Sequence, residues 1–262
     1  MIHIVRTEKP VELTEDVVKR LTEEFISDNS RKVWDKRYIR TALLNMGNNK
    51  CCYCECFVGN GHIDMHIEHF LPKSIYPNSV VEWDNLLPSC AACNSFKGSH
   101  DTGEEPIINP TIDRPQEYFY LRDYRYKCKN NSVNSIAKKT LEILMLNDTE
   151  KRVKQRFILG ESLNDEIEKA REYLEDNWNN IATVQRIKNK GVNWCKKILR
   201  FGVPTAEFSA FMATLIYNNE DYCRIKEILN EKNLWGEELS RLEESMMYNV
   251  YDIQKQGDAS RS

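Results

Sequence analysis

Six of the chain's nine cysteines, Cys51, Cys52, Cys54, Cys56, Cys90 and Cys93, crowd into one stretch, while Cys128, Cys195 and Cys223 are scattered. Two Cys-x-x-Cys pairs, Cys51/Cys54 and Cys90/Cys93, can give four thiolates to a tetrahedral zinc ion with little backbone strain. Cys52 and Cys56 are spare thiols able to replace one of the four, and free buried cysteines are the bland alternative. A zinc so held is structural, because four thiolates leave no open position for water.

Between the pairs lies Glu68-His69. The carboxylate suits a hard cation such as Mg²⁺ or Mn²⁺, and the neighbouring imidazole can remove a proton near neutral pH. Asn94, one residue after Cys93, can offer an amide oxygen to the same cation. So few protein ligands leave positions open for water and phosphate oxygens. His66, two residues before Glu68, either supports a ligand from the same strand face or is simply exposed. Lys97, one helical turn from Asn94, and Lys73 are candidate phosphate contacts or plain solvated lysines. His62 and His100 read as surface residues.

These side chains need elements to hold them. A helix is expected over Thr14–Ile26 with Thr14 as its cap and Leu13 and Val18 as a staple. A second helix, Arg31–Met46, carries Trp34, Tyr38, Ala42 and Met46 at helical spacing and stops at Gly47 as C′ residue. The Gly59-Asn60-Gly61 turn, followed by alternation of Ile63, Met65 and Ile67, predicts a β-hairpin over 57–67 whose second strand presents Glu68 and His69. Residues 71–88 read as a long connection, and a short helix starts at Cys90 and runs to about Lys97. The segment around Tyr118-Phe119-Tyr120 suggests a strand pair beside the site. From Ser135 the pattern is helical: 136–146, 150–178, 181–200, 204–217 with Pro204 at N1, 222–229 and 237–251.

The expected class is therefore α+β, mostly α. Its divisions are an N-terminal helical segment (1–47), a ββα metal module (48–130), a C-terminal helical region (131–253) and a disordered tail (254–262). Residues Phe208, Phe211 and Leu215, and Leu234, Leu239, Leu242 and Met246, form stripes that read as core before interface. With 37 basic and 40 acidic residues, a net charge of −3 and a pI near 6.0, the chain has no global footprint for a polyanion, so nucleic acid must be held locally or with a partner. No apolar run reaches membrane-spanning length and the N-terminus is no signal peptide, which makes a cytoplasmic protein the expectation.

Residues 51–98 resemble the HNH endonuclease family in its four-cysteine subclass, two zinc knuckles around an acid–His pair and two asparagines. The resemblance implies a ββα-metal fold and one-metal phosphodiester hydrolysis. It makes Glu68 and Asn94 the cation ligands, His69 the general base and Asn85 the residue that orients base and loop. The family more often has Asp or His at the place of Glu68, and often His at that of Asn94. A narrower likeness rests on Ile2-His3-Ile4-Val5-Arg6-Thr7, Glu68-His69-Phe70-Leu71-Pro72-Lys73, Asn85-Leu86-Leu87-Pro88-Ser89-Cys90 and Leu144-Met145-Leu146-Asn147. These runs are similar to the PtuB family, HNH subunits of Septu-type anti-phage systems, retron-associated ones included. That likeness implies an ABC-type ATPase partner docked on the C-terminal helices with the N-terminal segment, and in retron systems a reverse transcriptase complex. DNA is the favoured substrate, with RNA such as tRNA as the other. A non-catalytic zinc-knuckle adaptor that binds nucleic acid or protein is the competing reading.

Overall fold

The computed structural model describes residues 1–59, 61, 63–129 and 134–253, so His62 and the tail 254–262 lie outside it. The described chain is mostly helical with two small two-stranded sheets, the α+β class expected. No described helix is long and apolar enough to cross a membrane. Two compact units are present: residues 1–118 with 128–146, and residues 119–127 with 147 onward.

In the first unit α1 (Glu15–Ser27) starts where its cap predicts, and Thr14 Oγ1 accepts from the Val17 amide at 3.4 Å. Its inward residues Leu21 and Phe25 join Val33, Val80 and Val81 in one apolar cluster, with Trp34 packed against it. Helix α2 (Arg37–Met46) begins six residues later than the spacing predicts. Val33 and Trp34 both reach the same cluster, which two adjacent residues of a regular helix cannot easily do, so 32–36 runs as turns. The buried face of α2 is accordingly Ile39, Leu43 and Met46. Gly47 is no left-handed C′ residue either. Its φ is −87°, and Asn48 and Asn49 take the left-handed positions (53° and 55°). Glycine is needed there for close approach, since a Cβ would lie 2.7 Å from Pro88 Cγ.

The strand carrying Glu68 and His69 forms, but not in the expected hairpin. Strand β1 (Met65–His69) pairs antiparallel with β2 (Leu86–Cys90), Met65 opposite Cys90 and His69 opposite Leu86. The described residues of 57–63 contribute isolated bridges, Phe57 with Lys50 and Val58 with Ile63. Every residue of β2 is buried, so it shows no alternation, and Pro88 within it disguises it as connection. Helix α3 (Ala91–Lys97) follows at once, its first turn capped by Cys90 Sγ, 3.4 Å from the Cys93 amide. Strand, strand, helix is thus kept, with a different first-to-second pairing. The short helix α4 (Pro115–Tyr118) and helix α5 (Asn134–Ile143) complete this unit.

The N-terminal segment locks the turn before β2. Arg6 donates from Nη1 to the carbonyls of Trp83 (2.9 Å) and Leu86 (2.7 Å), and from Nη2 to that of Asp84 (3.0 Å) and to Thr111 Oγ1 (3.1 Å). Trp83 returns its indole N–H to the Thr7 carbonyl at 2.8 Å.

In the second unit β3 (Phe119–Arg122) and β4 (Arg125–Cys128) are joined by Asp123 and Tyr124, both at positive φ as a type I′ turn requires. Asn147 clamps this hairpin, accepting from the Tyr126 amide (3.0 Å) and donating to its carbonyl (2.8 Å). A π turn (Thr149–Val153) leads into α6 (Lys154–Asp176), followed by α7 (Gln185–Arg200), α8 (Ser209–Tyr217), α9 (Glu220–Glu231) and α10 (Glu237–Met247). Pro204 is not the first residue of α8. That helix starts five residues on, after left-handed Phe208, because 202 is pinned elsewhere: a Cβ at Gly202 would lie 2.4 Å from Met246 Cγ. Of the two apolar stripes, Phe208, Phe211, Leu234, Leu239 and Met246 are buried, as core residues should be.

Arg6→Ala is expected to lower the stability of the first unit by about 2–3 kcal/mol, since charged hydrogen bonds to three carbonyls are lost together. Urea unfolding measures this, and Arg6→Lys should recover only part, as one ammonium cannot fork as a guanidinium does.

Candidate active site

The two knuckles close on each other. The sulfurs of Cys51, Cys54, Cys90 and Cys93 all lie within 4.8 Å of one another, and every one is buried. Tetrahedral zinc with bonds of about 2.3 Å sets sulfurs about 3.8 Å apart, and Cys54 and Cys90 stand at 3.8 Å. The donor set therefore fits a structural metal. Cys56 Sγ is 3.4 Å from Cys54 Sγ, close behind the cluster without belonging to it. Two contacts tie the first knuckle to β2: the Cys52 amide donates to the Pro88 carbonyl at 2.8 Å, and Cys51 Sγ is 3.8 Å from Ser89 Oγ.

Beside this cluster, a cavity of about 1060 Å³ is lined by Glu68, His69 and Asn94 together, with His66, Lys73, Trp34, Lys32 and Arg40 around them. His69 is buried, and its Nε2 lies 2.9 Å from the Val80 carbonyl. A carbonyl only accepts, so Nε2 carries the proton and Nδ1 is left with a free lone pair. Trp34 meets the imidazole edge-on, with ring centroids 5.0 Å apart. Burial pulls His69 down to about 4, against the pull of the Val80 bond, so the ring is neutral at physiological pH.

Glu68 is 2% exposed, and burial pushes it up to about 7 against the opposing attraction of Lys97. Lys97 Nζ lies 2.7 Å from Glu68 Oε1 but is aimed at the His69 carbonyl, to which it donates at 2.8 Å. Glu68 Oε1 is consequently buried in ion-pair contact without an aligned hydrogen bond. Asn94 is half-buried and its amide makes no hydrogen bond among the described residues. Glu68, paired with Lys97, and the half-buried Asn94 line one cavity and offer a carboxylate and an amide oxygen, the donor types that a hard divalent cation takes.

The Asn85 side chain hydrogen-bonds the loop rather than the His69 ring. Its Oδ1 accepts from the Leu71 amide (2.6 Å), and its Nδ2 donates to the carbonyls of Leu71 (3.1 Å) and Ser79 (2.9 Å), which staples the loop that carries Val80. His66 is exposed, opposite Ser89, and shares the cavity with Glu68. Lys73 lines the cavity with its ammonium 4.9 Å from the Trp34 ring, whereas the Lys97 side chain is wholly inside and does not face a substrate. His100, read as a surface residue, has a side chain only 10% exposed, and its Nε2 donates to the Glu105 carbonyl at 2.8 Å. Sequence reasoning missed Trp34 and Val80, the two groups that orient His69. No local signal marks them, because the apolar cluster of α1 brings both to His69.

No family model matches the chain. It is 40% identical over 250 residues to the Septu protein PtuB of Bacillus thuringiensis, with 95% of each chain covered. Shorter likenesses run to the Septu protein PtuB of Bacillus mycoides (strain KBAB4), 30% over 115 residues, 32% of this chain and 39% of that one. Protein ea31 of Escherichia phage lambda is 31% identical over 117 residues, 44% of this chain and 36% of its own.

Purified protein should carry one zinc by atomic absorption; Cys93→Ser should lose it and unfold, and Cys223→Ser should keep it. A second expectation concerns acid. His69 titrates at about 4 folded against 6.5 unfolded, so the unfolded chain binds more protons in between, and stability is lost as pH falls through that window. Denaturant midpoints measured from pH 7 to 4 should drop more steeply for wild type than for His69→Gln.

Proposed function

The chain belongs to the Septu PtuB family, and on that premise we propose that it is the metal-dependent HNH endonuclease subunit of an anti-phage defence system, cutting phosphodiester bonds of nucleic acid. The observation that carries this reading is the neutral His69, its Nε2 proton held by the Val80 carbonyl, in one cavity with Glu68 and Asn94. An adaptor has no need of a buried, oriented imidazole with a free Nδ1.

Glu68 and Asn94 would hold the cation, Mg²⁺ or Mn²⁺, which when bound supplies charge stabilisation to the phosphate and the departing 3′ oxygen. His69 Nδ1 takes a proton from water, the resulting hydroxide attacks phosphorus in line, and the departing 3′ oxygen takes a proton from solvent water, leaving 5′ phosphate and 3′ hydroxyl ends. Because His69 is neutral above about pH 4, the base needs no deprotonation at working pH. Trp34 and the Val80 carbonyl keep the ring from rotating away. Lys73 holds a neighbouring phosphate at the cavity wall. With net charge −3, the chain depends on a partner to recruit and gate substrate, which in this reading is an ABC-type ATPase docked on the C-terminal helices with the N-terminal segment.

His69→Ala should lower cleavage by about 10²- to 10⁴-fold with zinc content unchanged. The assay offers supercoiled DNA, genomic DNA and total tRNA, each with Mg²⁺ or Mn²⁺, without and with the partner ATPase. Equal cutting by wild type and variant, or none by either in any condition, would favour the zinc-knuckle adaptor.

A further inference from the structure

Lys97 has no exposed side-chain surface, and its ammonium engages two consecutive site residues, Glu68 Oε1 at 2.7 Å and the His69 carbonyl at 2.8 Å. An interior ammonium is tolerated only where paired, and this one is paired with the carboxylate of the cavity. The charge of Glu68 is therefore already matched, while Asn94 and His69 are neutral. A divalent cation entering at Glu68 meets a single carboxylate whose charge Lys97 already balances, and shares it with an ammonium 2.7 Å away. The field turns favourable once a substrate phosphate adds negative charge beside it.

We propose that Lys97 is a positioning residue that makes divalent-cation binding at Glu68 depend on a bound phosphodiester. This rests on Glu68 being a ligand of the cation. The site then gathers its metal when substrate is present and holds it weakly otherwise, and by linkage the cation strengthens substrate binding by the same factor. The same ammonium also ties the end of β1 to the last turn of α3, which fixes the carboxylate in place for either occupant.

The test is Mn²⁺ binding, read from the electron paramagnetic resonance signal of free Mn²⁺, on the zinc-loaded full chain carrying His69→Ala so that nothing is cut. Titrations are run alone and with a DNA or an RNA oligonucleotide. With Lys97 present, affinity should be weak alone and rise about tenfold or more with oligonucleotide, within the usual range of coupling between sites. Lys97→Met should bind Mn²⁺ about tenfold more tightly alone and gain little from oligonucleotide. Lys97→Arg, which keeps the charge and the fold if Lys97→Met loses its zinc and unfolds, should behave as Lys97 does. Unchanged or weaker binding in Lys97→Met, or tighter binding alone in Lys97→Arg, would overturn the role of Lys97 and leave the nuclease standing. No Mn²⁺ bound in any state, together with no cleavage by the wild-type chain, would overturn both.

Discussion

Four buried sulfurs within 4.8 Å of one another are the constraint on which the first unit depends. The sheet beneath the site has only two strands of five residues, a size that is marginal on its own in water. The thiol cluster joins residues 51–54 to the end of β2 and the first turn of α3, segments far apart in sequence. Around it the Cys52 amide and Ser89 tie the knuckle to β2, and Gly47 lets Pro88 approach. With β2 and α3 held, the register places Glu68 and His69 on β1 against the helix that supplies Asn94 and Lys97.

A second layer of packing decides the state of His69. The α1 cluster seats Val80, whose carbonyl takes the Nε2 proton of His69, and Asn85 secures the same loop through three hydrogen bonds. Arg6 holds the turn from the other side by collecting three carbonyls. None of these residues faces the cavity chemistry directly. Together they fix the tautomer of His69, with Nε2 protonated towards Val80.

Electrostatics in the cavity are local. Burial drives Glu68 up and His69 down, each towards its neutral form, and for the carboxylate Lys97 first and Lys73 after it oppose this. The overall charge of −3 contributes no steering towards a polyanion, and Lys32, Arg40 and Lys73 share the cavity wall with Asp35 and Asp64. Arg40 is already engaged by Asp35 and by the Met65 carbonyl at 2.7 Å. Among the described residues, Lys32 and Lys73 are the cavity-wall cations left outside an ion pair.

Residue types and short spacings were enough to find the four thiols, Glu68-His69, Asn94, the cap of α1 and the helix after Cys90, because each rests on chemistry within a few neighbours. The α+β class was legible for the same reason. The partner of β1 was not, since a fully buried strand with a proline carries no alternation and pairing across some twenty residues has no local trace. Trp34 looked like one more helical apolar residue and Lys97 like a phosphate contact or a solvated lysine, and only packing turned the first towards His69 and the second inward to Glu68. Types and spacing determine which groups are available for chemistry. Which of them face substrate and which face each other is decided by long-range burial, because a side chain's environment is set by neighbours distant in sequence.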